Sequence, residues 1–170
     1  MVSIVMFFTG LTSAVIVSQG GGGFLAIEMP FAFTISTLII ILSSITFQWA
    51  TITAKKGNFS IAKWGILATF LLGLVFVCTQ YMGWTALHEN GYYLAGKEST
   101  QESSYLYLLT GLHVAHLIGG LVSLIVVLVK TARNKYKVEN INGIQVSLTY
   151  WHFLGALWIY LFFFLRFIIA

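Results

Sequence analysis

Five runs of mostly apolar residues, separated only by short polar linkers, decide most of what this chain can become. A membrane-spanning helix needs about 20 such residues. Five segments meet that length, at about residues 1–17, 31–53, 63–85, 103–130 and 144–169. Charged residues make up only 8% of the 170 and hydrophobic ones 58%, where a soluble domain carries about 25% charged. Mean hydropathy is +0.89. Lipid offers the backbone no hydrogen bonds, so apolar spans of this length close their own bonds as helices. The expected fold is all-α: a polytopic membrane protein with five transmembrane helices in a bundle, forming one transmembrane domain over 1–170.

Local signals fit those boundaries. "SQGGGG" at 18–23 ends the first run, because glycine continues a helix only at a cost. The only proline, Pro30, stands at the start of the second, where its missing N–H is no loss. The chain opens on an apolar run without a basic lead or cleavage site, so no removable signal peptide is expected. The single cysteine, Cys78, rules out a disulfide framework and a cysteine-rich metal site.

Five spans put the N-terminus, the second linker and the fourth linker on one side. That side holds Lys55, Lys56, Lys63, Lys130, Arg133, Lys135 and Lys137; the other holds Lys97 and Arg166. The excess of lysine and arginine predicts an inside N-terminus and an outside C-terminus. Arg166 can snorkel to the outer interface. The net charge of +4 then reads as topology and attraction to anionic lipid, with no nucleic-acid partner.

The spans carry polar residues that need partners in lipid. At about 100° per residue, Tyr105, His113, His116 and Ser123 share one face of the fourth span. Gly111, Ala115 and Gly119 form a small-residue ridge on another, the pattern that lets a neighbouring helix close in. Gln145, Thr149, His152 and Ala156 align on the fifth span. Thr34, Ser36, Thr37, Ser43, Ser44 and Thr46 mark the second, and Thr79 and Gln80 the third. These faces are expected to point at other helices.

"TGLHVAHLIGG" at 110–120 raises sharper chemistry, because histidines three apart on a helix can hold a metal or a haem. Counted from the inner span ends, His116 lies about 21 Å deep, His113 about 25 Å and His152 about 12 Å. A depth gap of roughly 9 Å argues against a shared haem. No third ligand is apparent, whereas a closed zinc site wants four. His88 sits in or near the outer linker. The span centres hold no carboxylate, and Glu28 lies just before the second span. No P-loop, dinucleotide or nucleophile–base motif occurs. Packing contacts, a metal or haem site and a small carrier are the readings in play. An accessory subunit of a larger complex suits these residues better than an enzyme.

Several stretches resemble subunit III of the haem–copper oxidases. "TGLHVAHLIGG" resembles that family's TG-[FL]-H-x-x-H signature, and "YWHFLGALWIYLFFFLRF" at 150–167 its closing YWHF-x-x-x-x-W span. "MFFTG" at 6–10, "EMPFAFTISTLIIILSSITFQWA" at 28–50 and "LLGLVFVCTQYMGW" at 71–84 are similar to its intervening spans, in the same order. Larger members have seven spans, and this chain corresponds to the last five, as in short bacterial forms.

The resemblance implies a non-catalytic subunit of a bacterial respiratory terminal oxidase, in the inner (cytoplasmic) membrane, with cytochrome c or quinol as donor. Haems and copper would lie in partner subunits and no cofactor on this chain. Subunit I would be the main contact, beside subunit II, other respiratory subunits and membrane lipids, with phospholipid bound. The subunit would stabilise subunit I and support proton uptake. His113, His116 and His152 would serve as buried polar contacts rather than ligands, together with Gln80, Thr110, Gly111, Ala115, Gly119, Tyr150 and Trp151. The family often has carboxylates where Ile4, Gly83 and Gly155 stand here. An accessory subunit of nitric oxide reductase, which shares the fold, and a free-standing membrane haem protein are the alternatives.

Overall fold

The computed structural model describes residues 1–19, 27, 29–96, 99–136, 138 and 140–168. Its long elements are all helices: α1 (Val2–Gln19), α2 (Phe31–Lys55), α3 (Phe59–Glu89), α4 (Gln101–Ala132) and α5 (Asn142–Ile168). All five are long and apolar enough to cross a membrane. Glu28, Lys97 and Lys137 lie outside the described residues.

Heptad-like spacing builds the core. The buried positions of α2 include Phe33, Ser36, Ile40, Ser43, Phe47, Ala50 and Ala54. Those of α3 include Ala62, Ile66, Thr69, Gly73, Phe76, Gln80, Gly83 and Leu87. Alternating steps of three and four keep one seam facing the neighbour, as in left-handed helix pairs. The α2–α3 seam is the most extensive contact, and α3–α4, α4–α5 and α2–α5 close a four-helix ring. Gly65 lets α2 and α3 meet: a Cβ there would stand 2.7 Å from the Ala50 Cβ.

α1 lies outside this ring and is held more lightly. The Tyr160 hydroxyl donates to Thr12 Oγ1 (3.1 Å), Ser18 and Tyr105 share a hydrogen bond (3.1 Å), and Gln19 donates to the Ile168 carbonyl (3.2 Å). These contacts run α1 parallel to α5 and antiparallel to α4.

Helix ends extend past the apolar runs. α3 spans 31 residues, about 46 Å, against a hydrocarbon layer of about 30 Å. Its polar ends therefore stand at headgroup level, and His88, expected in or near the linker, occupies the last helical turn. α4 begins at a capping box: Thr100 Oγ1 accepts from the Ser103 N–H (3.3 Å) and Ser103 Oγ from the Thr100 N–H (3.2 Å). This satisfies two donors that an uncapped start would leave bare.

Candidate functional site

The side chains with chemistry gather where α2–α5 meet, and two tryptophans organise them. Trp151, 1% exposed, donates from Nε1 to Ser43 Oγ (3.0 Å). Its ring fills the space left by two glycines, since a Cβ on Gly73 or Gly120 would stand 2.8 or 3.2 Å from it. Seven residues on, Trp158 donates to Thr37 Oγ1 (3.0 Å). Two α5 indoles thus clip two α2 hydroxyls, about two helical turns apart. Sequence reasoning named Trp151 but passed over Trp158, Ser43 and Thr37 as site residues. The i, i+7 tryptophan pair opposite a hydroxyl-bearing span was the signal.

The three intramembrane histidines of the last two spans have three different surroundings. The His113 ring is fully buried, 5.2 Å from the Trp158 ring and 6.1 Å from that of Phe76. His116 turns toward α1, its ring 5.7 Å from Phe8, with Nδ1 2.7 Å from the carbonyl of Leu112 in its own helix. His152 Nε2 meets Gln48 Oε1 of α2 at 3.2 Å. Among the described residues, no three His, Cys, Asp or Glu side chains gather as a metal site would require.

His116 and His152 lie closer in depth than their span ends suggest. Ser123 donates to Ser147 Oγ at 2.8 Å, so these two positions are level. Counting outward from them at 1.5 Å per residue leaves His116 and His152 about 3 Å apart in depth, not 9 Å. The two span ends assumed level are not, because α4 continues inward to Ala132 while the Ile144 end of α5 sits higher. What separates the histidines is direction: one faces α1, one the four-helix core and one α2.

The other candidates sort by contact. Thr110 Oγ1 accepts from Trp84 Nε1 (3.0 Å), Tyr150 donates to the His116 carbonyl (3.2 Å), and Gln80 Nε2 donates to Ser36 Oγ (2.8 Å). The Gly111–Ala115–Gly119 ridge is open within this chain. Nothing lies within 4 Å of a Cβ on Gly111, Ala115 is exposed, and Gly119 would meet only the Tyr150 hydroxyl, at 3.6 Å. The glycine of α4 that another helix closes on is Gly120. Thr34, Thr149 and Ala156, expected to face other helices, are exposed as well; burial follows the seam residues beside them.

An apolar groove of about 560 Å³ runs between α2 and α5, lined among others by Ile41, Ser44, Gln48, His152, Gly155 and Ala156. At Gly83 and Gly155, where the resemblance leads to an expectation of acids, neighbours come close to the backbone. A Cβ would meet the Phe33 ring at 2.9 Å at the first and Ser44 Oγ at 3.2 Å at the second.

A sequence model of the family described as cytochrome c oxidase subunit III matches residues 2–169. The chain is similar to cytochrome c oxidase subunit 3 of Corynebacterium diphtheriae, 32% identical over 96% of this chain and 82% of that protein. It is 31% identical to a probable cytochrome c oxidase subunit 3 of Nocardia farcinica, over 94% of this chain and 80% of the other. A Mycobacterium tuberculosis protein of the same description is 36% identical over 74% of this chain and 61% of its own length.

Proposed function

The chain belongs to the cytochrome c oxidase subunit III family, as a multi-pass membrane subunit of a respiratory oxidase, and from that premise we propose that it does no redox chemistry itself but packs beside subunit I and preserves the active complex. The haems and copper then reside in partner subunits. The histidine surroundings support this: His113 is walled in by aromatic rings, and Nδ1 of His116 is engaged by its own backbone.

The observation that carries the contact with subunit I is the outward-facing His152–Gln48 pair. Gln48 is exposed on the membrane surface of the chain, about 10 Å inward from the Lys55 end of α2. Polar side chains at such depth face protein or a partner, because lipid tails cannot bond them. A partner helix in the α2–α5 groove would cover the pair, and the small residues Gly155 and Ala156 leave it room.

The orientation follows the charges. Lys55, Lys56, Lys63, Lys130, Arg133 and Lys135 lie at one end of the bundle and Arg166 at the other, so the first end faces the cytoplasm. The bacterial relatives support a site in the cytoplasmic membrane, with membrane phospholipid around the subunit. With glycine at 83 and 155, its support of proton uptake comes through holding subunit I in shape rather than through carboxylates at those positions.

His116→Leu tests this role. It removes an edge-to-face contact with Phe8 worth about 1 kcal/mol and so loosens α1. Initial oxygen consumption by the purified complex is expected to stay near normal while its active life during turnover shortens. An immediate loss of turnover with all subunits still present would contradict a supporting role.

A further inference from the structure

Hydrogen-bond accounting at the centre of the bundle leaves one place unfinished. Gln80 and His113 are both 0% exposed. Gln80 Oε1 and both ring nitrogens of His113 find no hydrogen-bond partner among the described residues. They share one level. Trp84 on α3 bonds Thr110 on α4, so one turn further along, Gln80 stands opposite His113. Trp158 touches His113 and bonds Thr37, while Gln80 bonds the adjacent Ser36.

Among the described residues, the neighbouring hydroxyl and indole protons are all engaged elsewhere. Ser36 and Thr37 both give their hydroxyl protons to the Phe33 carbonyl (2.9 and 2.8 Å). Thr110 gives its own to Leu106 (2.8 Å). The indole N–H groups of Trp84 and Trp158 are spent on Thr110 and Thr37. Two acceptors remain, Gln80 Oε1 and the lone-pair nitrogen of a neutral imidazole, beside the second amide hydrogen of Gln80 and the one imidazole N–H, and the two side chains make no hydrogen bond to each other. Buried acceptors left bare in a membrane are strongly disfavoured.

The geometry points to an internal water site, in which one water molecule donates one hydrogen to Gln80 Oε1 and the other to a ring nitrogen of His113. One water can donate to both acceptors, and buried waters typically hold two to four polar partners. The remaining imidazole N–H stays against the aromatic wall of Phe76 and Trp158, where ring faces offer weak acceptance. The site ties α2, α3 and α4 through Ser36, Gln80 and His113. It also gives the first histidine of the TG-x-H-x-x-H stretch a task distinct from that of His116.

Two measurements on the intact membrane complex test it. An electron-density map of the unmodified complex, sharp enough to show ordered water, is expected to hold a discrete peak within about 2.6–3.2 Å of both Gln80 Oε1 and one His113 nitrogen. A direct nitrogen–Oε1 bond, or no peak there, overturns the proposal. In parallel, Gln80→Met, His113→Phe and the double variant are compared by the rate at which heat releases the chain from the complex. Each single change is expected to speed release about tenfold, and the double no more than the faster single, since one shared site is lost. About hundredfold in the double, the product of independent effects, overturns it.

Discussion

Trp151→Ala is expected to destabilise the bundle by about 3–5 kcal/mol, the range for a large aromatic deleted from a packed core. The indole is 1% exposed and sits where Gly73 on α3 and Gly120 on α4 clear space for it, so three helices lose their common filler at once. Ser43 Oγ also loses the N–H it accepts. Trp151→Phe separates the two effects. It keeps most of the volume and gives up mainly the hydrogen bond, at a cost of about 1 kcal/mol. Thermal unfolding of the detergent-solubilised complex, followed by loss of this chain, checks both. An alanine variant that unfolds with the native protein would refute the filler role.

Gly65→Leu is expected to cost about 3 kcal/mol, toward the upper end for forcing atoms into a filled core. A Cβ at residue 65 would meet the Ala50 Cβ at 2.7 Å and its Cα at 3.3 Å. The second of these is backbone, so α2 itself must move. Opening that seam disturbs the most extensive helix contact in the molecule. The smaller change Gly65→Ala should be partly rescued by Ala50→Gly, which removes the atom met first. Recovery of chain in the membrane fraction and its unfolding midpoint check the pair. Failure of Ala50→Gly to restore any stability would show that the close approach at Gly65 is not what limits the seam.

How far these features could be read from the residues depends on what each requires. Apolar length and turn chemistry place five helices, because lipid leaves the backbone few options. Which polar residue meets which is a matter of rotation and register between helices, and span ends read from composition blur both. The His152 depth shows the cost: treating Lys130 and Ile144 as level misplaced it by several ångströms, which only the Ser123–Ser147 bond corrects. The Gly111–Ala115–Gly119 ridge has the right spacing for a close helix contact, yet α5 closes on Gly120 instead. Spacing identifies a smooth face without saying whether this chain or a partner covers it. Trp158 closes the quoted YWHF-x-x-x-x-W pattern, but the aim of its N–H at Thr37 depends on helix rotation that spacing does not give. Gln80, by contrast, stood out as a lone amide in a span, and the structure places it at the buried centre.

Purification of the tagged chain from its own membrane in mild detergent tests its place in an oxidase most directly. The expected result is co-migration with haem-bearing oxidase subunits, the haem signal following subunit I and unchanged by His113→Phe. Recovery of the chain without any haem-containing oxidase subunit, or with a Soret band that the His113 variant abolishes, would contradict it.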